Sequence, residues 1–201
     1  MRIPSSRWAR KLRLDQTDRS GRYANQQTNQ EGDSGESLRT LPVYRLHPET
    51  KQLTETWMHW GLIPHYLDER PRFKPLYAPA EIIFRRRMFL EAYRKRRCIV
   101  PMKEFYQRDR HRKRRTIVHK DGKLLNFAGI WENWRCPGTS EWERTFAIVT
   151  VKSNGLTENS QSRMPLIIDE ANLSHWLDSE NEPCDLLSLS SDIRSTLIVL
   201  A

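Results

Sequence analysis

The chain has 201 residues, which fits one domain, or one domain with an appended arm, and is long enough for a sizeable core. It carries 34 Lys and Arg against 25 Asp and Glu, a net charge of +9, and this balance favours association with a polyanion such as nucleic acid. Three widely spaced cysteines argue against a disulfide framework or a Cys-x-x-Cys metal site, and no apolar run approaches the roughly 20 residues of a membrane span, so we expect a cytoplasmic protein without a membrane partner.

The first 40 residues differ in composition from the rest of the chain. They are rich in Arg, Gln, Asn and Ser and include the stretch NQQTNQEGDSGES, which is typical of a flexible loop. We therefore expect a polar, partly disordered N-terminal arm over residues 1–40 and a folded domain over residues 41–201.

The folded part is predicted to begin with strands and one basic helix. The segments PVYRL and ETWMHWGLI are short and rich in aromatic or β-branched residues, which predicts strands. The segment FRRRMFLEAYRKRRC then places Phe84, Met88, Ala92 and Tyr93 at helical spacing among basic residues. This spacing predicts a helix with one buried stripe and a basic outer surface.

The second half of the chain is predicted to consist mainly of strands. CIVPMKEFYQ has strand character, and RTIVHK and KLLNFAGIWENW flank an Asp121-Gly122 pair that favours a hairpin turn. RTFAIVTV predicts another strand, Asp169 is placed to cap a helix in EANLSHWL, and STLIVL predicts a last strand. Antiparallel strands with few helices indicate the α+β class.

The charges are unevenly distributed. Between Arg85 and Arg115 the chain has 14 Lys or Arg and three acids, whereas between Met164 and Ile193 it has seven acids and no Lys or Arg. This distribution predicts one strongly positive face. A solvated surface without a partner is the alternative, but the aromatic residues between the basic ones favour an anionic ligand.

Catalytic and metal-binding patterns are scarce. The six histidines show no His-x-x-x-His or His-Glu-x-x-His spacing, and the chain has no glycine-rich phosphate loop, so we expect no metal and no cofactor. A Ser, His and Asp assembled only in space stays open, although no Gly-x-Ser-x-Gly elbow supports it.

Two apolar runs with a proline, HWGLIPHY and SRMPLII, combine core residues with one functional candidate. We expect Trp60, Ile63, Leu166 and Ile168 to belong to the core. Arg163 precedes a stiff Met-Pro pair and is suited either to clamp a phosphate or carboxylate or to form a buried salt bridge.

Seven segments, in this order, resemble the SRAP family, the SOS response-associated peptidases. They span about residues 20–180 and are GRY (21–23), WGLIPHY (60–66), AE with RMF (80–81, 87–89), RRCIVPMKEFYQ (96–107), FAGIWE (127–132), FAIVT (146–150) and SRMPLII (162–168). The resemblance implies a compact α+β fold around a mainly antiparallel, β-barrel-like core with a basic groove for single-stranded DNA. It also implies covalent cross-linking to abasic sites, with peptidase and lyase activity, by a Cys at position 2 assisted by a Glu, a His and an Asn.

The sequence departs from the family at each of these reactive positions. Position 2 is Arg, Gln107 stands at the position of the Glu, Gln161 at that of the His and Tyr77 at that of the Asn, and Pro79 replaces an Arg. An amide keeps the shape and hydrogen bonds of a carboxylate but cannot exchange a proton near neutral pH. Glu104, the obvious carboxylate, lies three places before the family's Glu. We therefore expect no intact catalytic residue.

Positions that match the family's DNA contacts are better retained. They are Arg87, Thr150 and Arg163, with Tyr66 as an aromatic side chain able to stack on a base. The main hypothesis is a monomeric pseudoenzyme of the SOS response to DNA damage, nucleoid-associated when bound to DNA. It would bind single-stranded DNA at or near abasic sites and would have lost cross-linking and self-cleavage.

Two alternatives stay open. One is an active abasic-site cross-linking enzyme whose recorded N-terminus is wrong, because residues 1–20 are unlike the family's opening. The other is a non-catalytic protein that binds RNA or an acidic partner through the same basic surface.

Overall fold

The computed structural model describes residues 40–109, 111, 113–153, 163–181 and 195–200. Residues 1–39 of the predicted arm lie outside this part of the chain. The described elements are β1 (Thr40–Leu46), β2 (Leu53–Trp60), β3 (Tyr77–Pro79), α1 (Ala80–Ile83), α2 (Arg87–Lys95), β4 (Arg97–Met102), β5 (Glu104–Arg108), β6 (Arg114–His119), β7 (Leu125–Arg135), β8 (Trp142–Lys152), β9 (Arg163–Pro165), a 3-10 turn (Glu170–Asn172), α3 (Leu173–Leu177) and β10 (Leu197–Leu200).

Five strands close into a barrel. β1 pairs antiparallel with β2 and with β4, β4 pairs with β7, and β7 pairs with β8. The parallel pair between β2 and β8, in which His59 lies opposite Thr145, completes the ring. Closing a sheet in this way leaves no exposed edge in the ring. The predicted α+β fold with a mainly antiparallel, barrel-like core and few helices is confirmed.

The core includes large apolar side chains from the barrel strands. Phe127 and Ile130 of β7 and Phe146 of β8 are at most 1% exposed. Between them, Gly129 allows β7 to approach β4, because a Cβ at this position would lie 2.8 Å from the Cys98 sulfur. A larger residue would therefore require the Cys98 side chain or the strand backbone to shift.

Strand β9 and the residue after it fit between β7 and β8 at one end of the barrel. The Leu166 N–H donates to the Val149 carbonyl oxygen at 2.9 Å, and the Leu166 carbonyl oxygen accepts from the Ala128 N–H at 2.8 Å. The chain is thus held by both strands at Leu166, and the preceding strand β9 pairs with β8, which fixes the backbone that carries Arg163.

A second sheet contains β10, β6 and β5 in that order, all antiparallel. The predicted hairpin between RTIVHK and KLLNFAGIWENW was wrong, because β6 belongs to this sheet and β7 to the barrel. The Asp121-Gly122 turn does form: Gly122 has a φ of 67° and its N–H donates to the His119 carbonyl oxygen at 3.0 Å. Two residues without regular structure follow the turn before β7 begins. β7 then pairs with β4 and β8 of the barrel, whereas β6 pairs with β5 and β10.

Helix α2 confirms the predicted basic helix, with a correction to its buried stripe. Phe89, Ala92 and Tyr93 are buried and Met88 is half-buried. Phe84 was expected in the same stripe, but its side chain is 47% exposed. Phe84 precedes α2, and the backbone of Arg86 between them is extended. Phe84 therefore does not share the helical spacing of the buried residues of α2.

The remaining predictions for the core and the C-terminal elements largely hold. Ile63, Leu166 and Ile168 are at most 1% exposed, whereas Trp60 is only half-buried. The last strand is found as β10. Asp169 precedes the 3-10 turn that leads into α3, but its side chain makes no capping hydrogen bond there.

Candidate functional site

A groove opens where the small sheet faces the end of the barrel beside β9. Its volume of about 440 Å³ lies within the roughly 300–1,000 Å³ that is usual for small-molecule sites. Strands from both sheets contribute to it, so no single segment of the sequence forms the groove. Its lining residues are Trp60, Tyr77, Pro79, Phe105, Tyr106, Phe127, Ile148, Thr150, Arg163, Met164 and Pro165.

Arg163 is fixed at this groove by three hydrogen bonds. Its Nε donates to Thr150 Oγ1 at 3.0 Å, and its Nη2 donates to the Thr150 carbonyl oxygen at 2.8 Å and to Glu81 Oε2 at 2.7 Å. Thr150 is itself buried, so it contributes to the site mainly by holding Arg163. The side chains of Arg163 and Glu81 are 37% and 36% exposed, so this ion pair lies at the surface and the buried salt bridge is not formed.

Glu81 is a site residue that the sequence did not single out, although it belongs to the quoted Ala-Glu pair. Partial burial disfavours its charged form, but the hydrogen bond from Arg163 and the positive charges of Arg163 and Lys152 outweigh this effect. The pKa of Glu81 therefore lies below its ordinary value. Glu81 is thus ionised at neutral pH and balances the charge of Arg163.

Gln107, predicted at a degenerate catalytic position, is 3% exposed. Its Nε2 donates to the Arg163 carbonyl oxygen at 3.2 Å. The amide therefore links β5 to β9 behind the groove. A carboxylate could not make this donation, because both of its oxygens are acceptors.

Tyr106 stands on the same strand and forms part of the groove wall. Its hydroxyl donates to Glu104 Oε1, and the Arg114 guanidinium carbon lies 3.4 Å from its ring centre. Burial and the hydrogen bond to Glu104 raise the pKa of Tyr106. Glu104 thus orients an aromatic side chain, a role that its position in the sequence did not reveal.

Tyr77 and Trp60 form an aromatic corner on the barrel side. Their ring centres are 5.6 Å apart and the rings are nearly perpendicular, at 87°. The Trp60 Nε1 donates to the Leu76 carbonyl oxygen at 2.8 Å, which fixes the indole. Tyr77 is 47% exposed, so its ring is accessible to a ligand. Gln161, the other predicted position, lies outside the described residues.

Two of the predicted DNA-binding residues, Arg87 and Tyr66, are in contact. The Arg87 guanidinium carbon lies 4.4 Å from the Tyr66 ring centre, in a cation–π arrangement. Arg85 and Arg86 next to Arg87 are also exposed, and residues 84–86 connect α1, which carries Glu81, to α2, which begins at Arg87. The predicted residues therefore form two pairs, Arg87 with Tyr66 and Arg163 with Thr150. Glu81, which binds Arg163, lies on α1, just before the segment that carries Arg87.

The basic segment between Arg85 and Arg115 exposes fewer of its arginines than its composition predicts. Arg97 is 3% exposed and donates to backbone carbonyl oxygens, including that of Tyr93 at 2.8 Å. Arg96 donates to Glu132 Oε1 at 2.9 Å, and Arg115 pairs with Asp109. Arg96 and Arg97 therefore stabilise the fold and do not contribute to a ligand surface, whereas Arg115 is 38% exposed with its charge balanced by Asp109.

A buried carboxylate lies beside the Tyr66 pair. Glu132, in FAGIWE, is 2% exposed, accepts from Arg96 and lies 3.1 Å from His65 Nδ1. Burial raises the pKa of Glu132, and the charge of Arg96 and the contacts with Arg96 and His65 only partly oppose this effect. The cluster positions the loop that carries Tyr66.

The described residues contain no group of three or more His, Cys, Asp or Glu that could hold a metal ion. Among the same residues, every helix is too short or too polar to cross a membrane.

The barrel and its groove place the chain in a fold class with solved bacterial structures. A protein from Bacteroides thetaiotaomicron matches with a TM-score of 0.70 and 26% identity, over 81% of this chain and 73% of that one. A protein from Bordetella bronchiseptica matches with a TM-score of 0.65 and 21% identity, over 82% and 84%. The chain belongs to the SRAP family (SOS response associated peptidase), whose family model matches residues 6–200.

Curated relatives carry the name abasic site processing protein. YoqW of Bacillus subtilis (strain 168) is 33% identical over 135 residues, which are 65% of this chain and 60% of that protein. YobE of the same organism is 33% identical over 137 residues, 65% of this chain and 61% of that protein. HMCES of Xenopus tropicalis is 22% identical over 185 residues, 79% of this chain and 55% of that protein. The chain thus spans about 60% of the length of the bacterial relatives.

Proposed function

We propose that this protein binds single-stranded DNA at or near abasic sites, as a monomer and in the response to DNA damage, without forming a covalent cross-link. The observation that carries the proposal is Arg163, held by Thr150 and Glu81 at an aromatic groove. A guanidinium held in place can donate hydrogen bonds to a nucleotide, and the aromatic rings beside it can stack on bases, which are contacts that single strands offer.

The exposed arginines that follow α1 in the chain support the same partner. Arg85, Arg86 and Arg87 are exposed, and Arg87 lies over the ring of Tyr66. A guanidinium on an aromatic face can contact phosphate while the ring remains available to a base. The names of the curated relatives, which refer to processing of abasic sites, support DNA with such lesions as the ligand.

The loss of covalent chemistry is proposed from two described positions. Gln107 is buried and bound to the backbone of β9, so it supplies neither an acid nor a base near neutral pH. Tyr77 puts a large ring where the family resemblance implies a small amide. Both changes leave the groove intact while removing groups that the cross-linking reaction uses.

Binding is tested by fluorescence anisotropy with labelled oligonucleotides of equal length: intact single-stranded DNA, single-stranded DNA with one abasic site, duplex DNA and RNA, with heparin as competitor. We expect tighter binding to the two DNA single strands than to duplex or RNA. Equal affinity for DNA, RNA and heparin would instead indicate a general polyanion surface and would contradict the proposal.

The chemical part is tested by incubation with abasic single-stranded DNA, followed by heating in SDS and electrophoresis. We expect no stable adduct. A heat-stable adduct would show that cross-linking is retained. The matched variant combines Gln107→Glu and Gln161→His with an N-terminal Cys, and adduct formation by this variant alone would support lost chemistry on a preserved frame.

A further inference from the structure

We propose that the groove between β5 and β9 holds one intact nucleobase of the bound strand, flipped away from its neighbours. The inference rests on the proposed function and makes it more specific. A protein of this kind would bind next to a missing base, with a neighbouring base in the groove, and would not place the baseless sugar there.

The first argument is the aromatic surface of the groove. Tyr77 and Trp60 stand at 87° with their ring centres 5.6 Å apart, and Tyr106 belongs to the opposite wall. A flat base that stacks on one ring of such a corner meets the other ring edge to face, and both are favourable aromatic geometries. A baseless deoxyribose has no flat surface with which to use these rings.

The rings are also held in place before any ligand arrives. The Trp60 indole is parallel to Phe146, with an angle of 5° and 6.3 Å between ring centres, and its Nε1 is bound to the Leu76 carbonyl oxygen. Tyr106 is held by Glu104 and Arg114. Preorganised rings reduce the entropy lost on binding. Pockets that receive flipped bases combine such stacking walls with a few polar groups that contact the base edge.

The polar end of the groove fits a neutral group better than a phosphate. Arg163 carries a positive charge, but ionised Glu81 lies 2.7 Å from its Nη2 and balances that charge. Among the described residues, none accepts a hydrogen bond from the Arg163 Nη1. A base carbonyl or ring nitrogen can accept from this group, whereas the phosphates are left to the exposed arginines at positions 85–87.

The test uses oligonucleotides of about eight nucleotides, close to the footprint of a small single-strand-binding domain. In each one, tetrahydrofuran, a stable baseless sugar, replaces the nucleotide at one position. Affinities are measured by anisotropy against the intact oligonucleotide. We expect about tenfold weaker binding when the replacement falls at one or two neighbouring positions, and little change elsewhere.

Substitutions of Tyr77 test whether the dependence of affinity on the position of the tetrahydrofuran arises from the groove. Because Tyr77 is half-exposed, Tyr77→Ala should lower the thermal unfolding midpoint only modestly, through the lost contact with Trp60, while it flattens the position dependence. Tyr77→Phe keeps the ring and should keep the profile. A profile that survives Tyr77→Ala would overturn the assignment of the groove.

The outcomes also separate this inference from the proposed function. Intact and substituted oligonucleotides that all bind equally well, or a tetrahydrofuran that strengthens binding, would overturn the base pocket while single-strand binding stands. If no single-stranded oligonucleotide binds even at low salt, the proposed function fails, and the inference fails with it.

Discussion

The Gln107 side-chain amide donates to the backbone carbonyl oxygen of Arg163 at 3.2 Å. The first residue belongs to the small sheet and the second to the strand inserted into the barrel, so the bond joins the two walls of the groove. The position at which the family resemblance implies a proton carrier therefore has a structural role in this chain.

Gln107→Glu should destabilise the fold at neutral pH by about 1–3 kcal/mol, because it removes a buried donor and brings a carboxylate against a carbonyl oxygen. Burial raises the pKa of such a carboxyl group above its value in the unfolded chain. The penalty is therefore absent below the unfolded pKa and grows as the pH rises toward the folded pKa. Urea unfolding at neutral and acidic pH measures both effects.

The matched control for this variant is Gln52→Glu, at an exposed glutamine in the loop between β1 and β2. It should change the free energy of unfolding by less than about 0.5 kcal/mol. Equal effects of the two substitutions would contradict the structural role of Gln107.

Arg87→Ala should weaken single-strand binding and reduce its dependence on salt. One lost phosphate contact lowers the slope of log K against log salt concentration by about 0.7 for single strands. The slope is obtained from anisotropy titrations at several salt concentrations.

Arg144→Ala is a suitable control for the Arg87 variant. Arg144 is exposed, but it lies near the start of β8, at the opposite end of the strand from Thr150. The overall charge change is the same, so we expect a smaller effect on both affinity and slope. Equal slopes in the two variants would indicate a diffuse electrostatic attraction without a defined site.

Glu81→Gln should remove a stabilising interaction that depends on pH. The pKa of Glu81 is lowered from its ordinary value of 4.5, so the ion pair with Arg163 contributes stability above that value and loses it as the pH falls through the folded pKa. Because both side chains are about one-third exposed, the loss at neutral pH should be below about 1 kcal/mol.

Urea unfolding of the wild type and Glu81→Gln at neutral pH and well below pH 4.5 provides the measurement. The difference between them should vanish in acid. Glu49→Gln, at an exposed position in the β1–β2 loop, serves as the control and should show no comparable difference. A destabilisation by Glu81→Gln that persists in acid would argue against the ion pair as its cause.

The two described cysteines should differ in reactivity. Complete burial raises the pKa of the Cys98 thiol far above its ordinary value, although the nearby charge of Arg45 opposes this. Hydrogen bonds from Thr139 lower the pKa of the half-buried Cys136. Because the thiolate is the reactive form, iodoacetamide should modify Cys136 well before Cys98 in the folded protein.

Peptide mass spectrometry after short labelling times distinguishes the two sites. In urea both cysteines should react at similar rates, because unfolding removes the burial of one and the hydrogen bonds of the other. Labelling of Cys98 in the folded protein at the rate of Cys136 would contradict the packing of β4 against β7.

Local patterns predicted many of the elements because they depend on neighbours in sequence. The strands around PVYRL and RTFAIVTV and the basic helix were found where expected, since apolar spacing is preserved in the final packing. The error at Phe84 and the wrong hairpin after Gly122 have one cause. A turn or a periodicity specifies the local backbone, but the partner of a strand depends on the other edges available in the folded chain.

The candidate site shows the same division. Arg163, Tyr77 and Gln107 were singled out from the sequence by motif, but Glu81 and Tyr106 gained their roles only through contacts with residues distant in the chain. Charge was also overcounted, because Arg97 is buried among backbone carbonyl oxygens although it stands in a basic run. Composition cannot distinguish such an arginine from one that faces solvent.

The sequence by itself determined the family, the α+β class, the basic character of the chain and the absence of a carboxylate at position 107. These properties are carried by residue types and their order. The tertiary structure alone decided that Gln107 braces β9, that Glu81 balances Arg163 and that Trp60, Tyr77 and Tyr106 surround one groove. The physical reason is that barrel closure brings together strands far apart in sequence, and hydrogen bonds and ring contacts depend on distances of a few ångströms that no local pattern specifies.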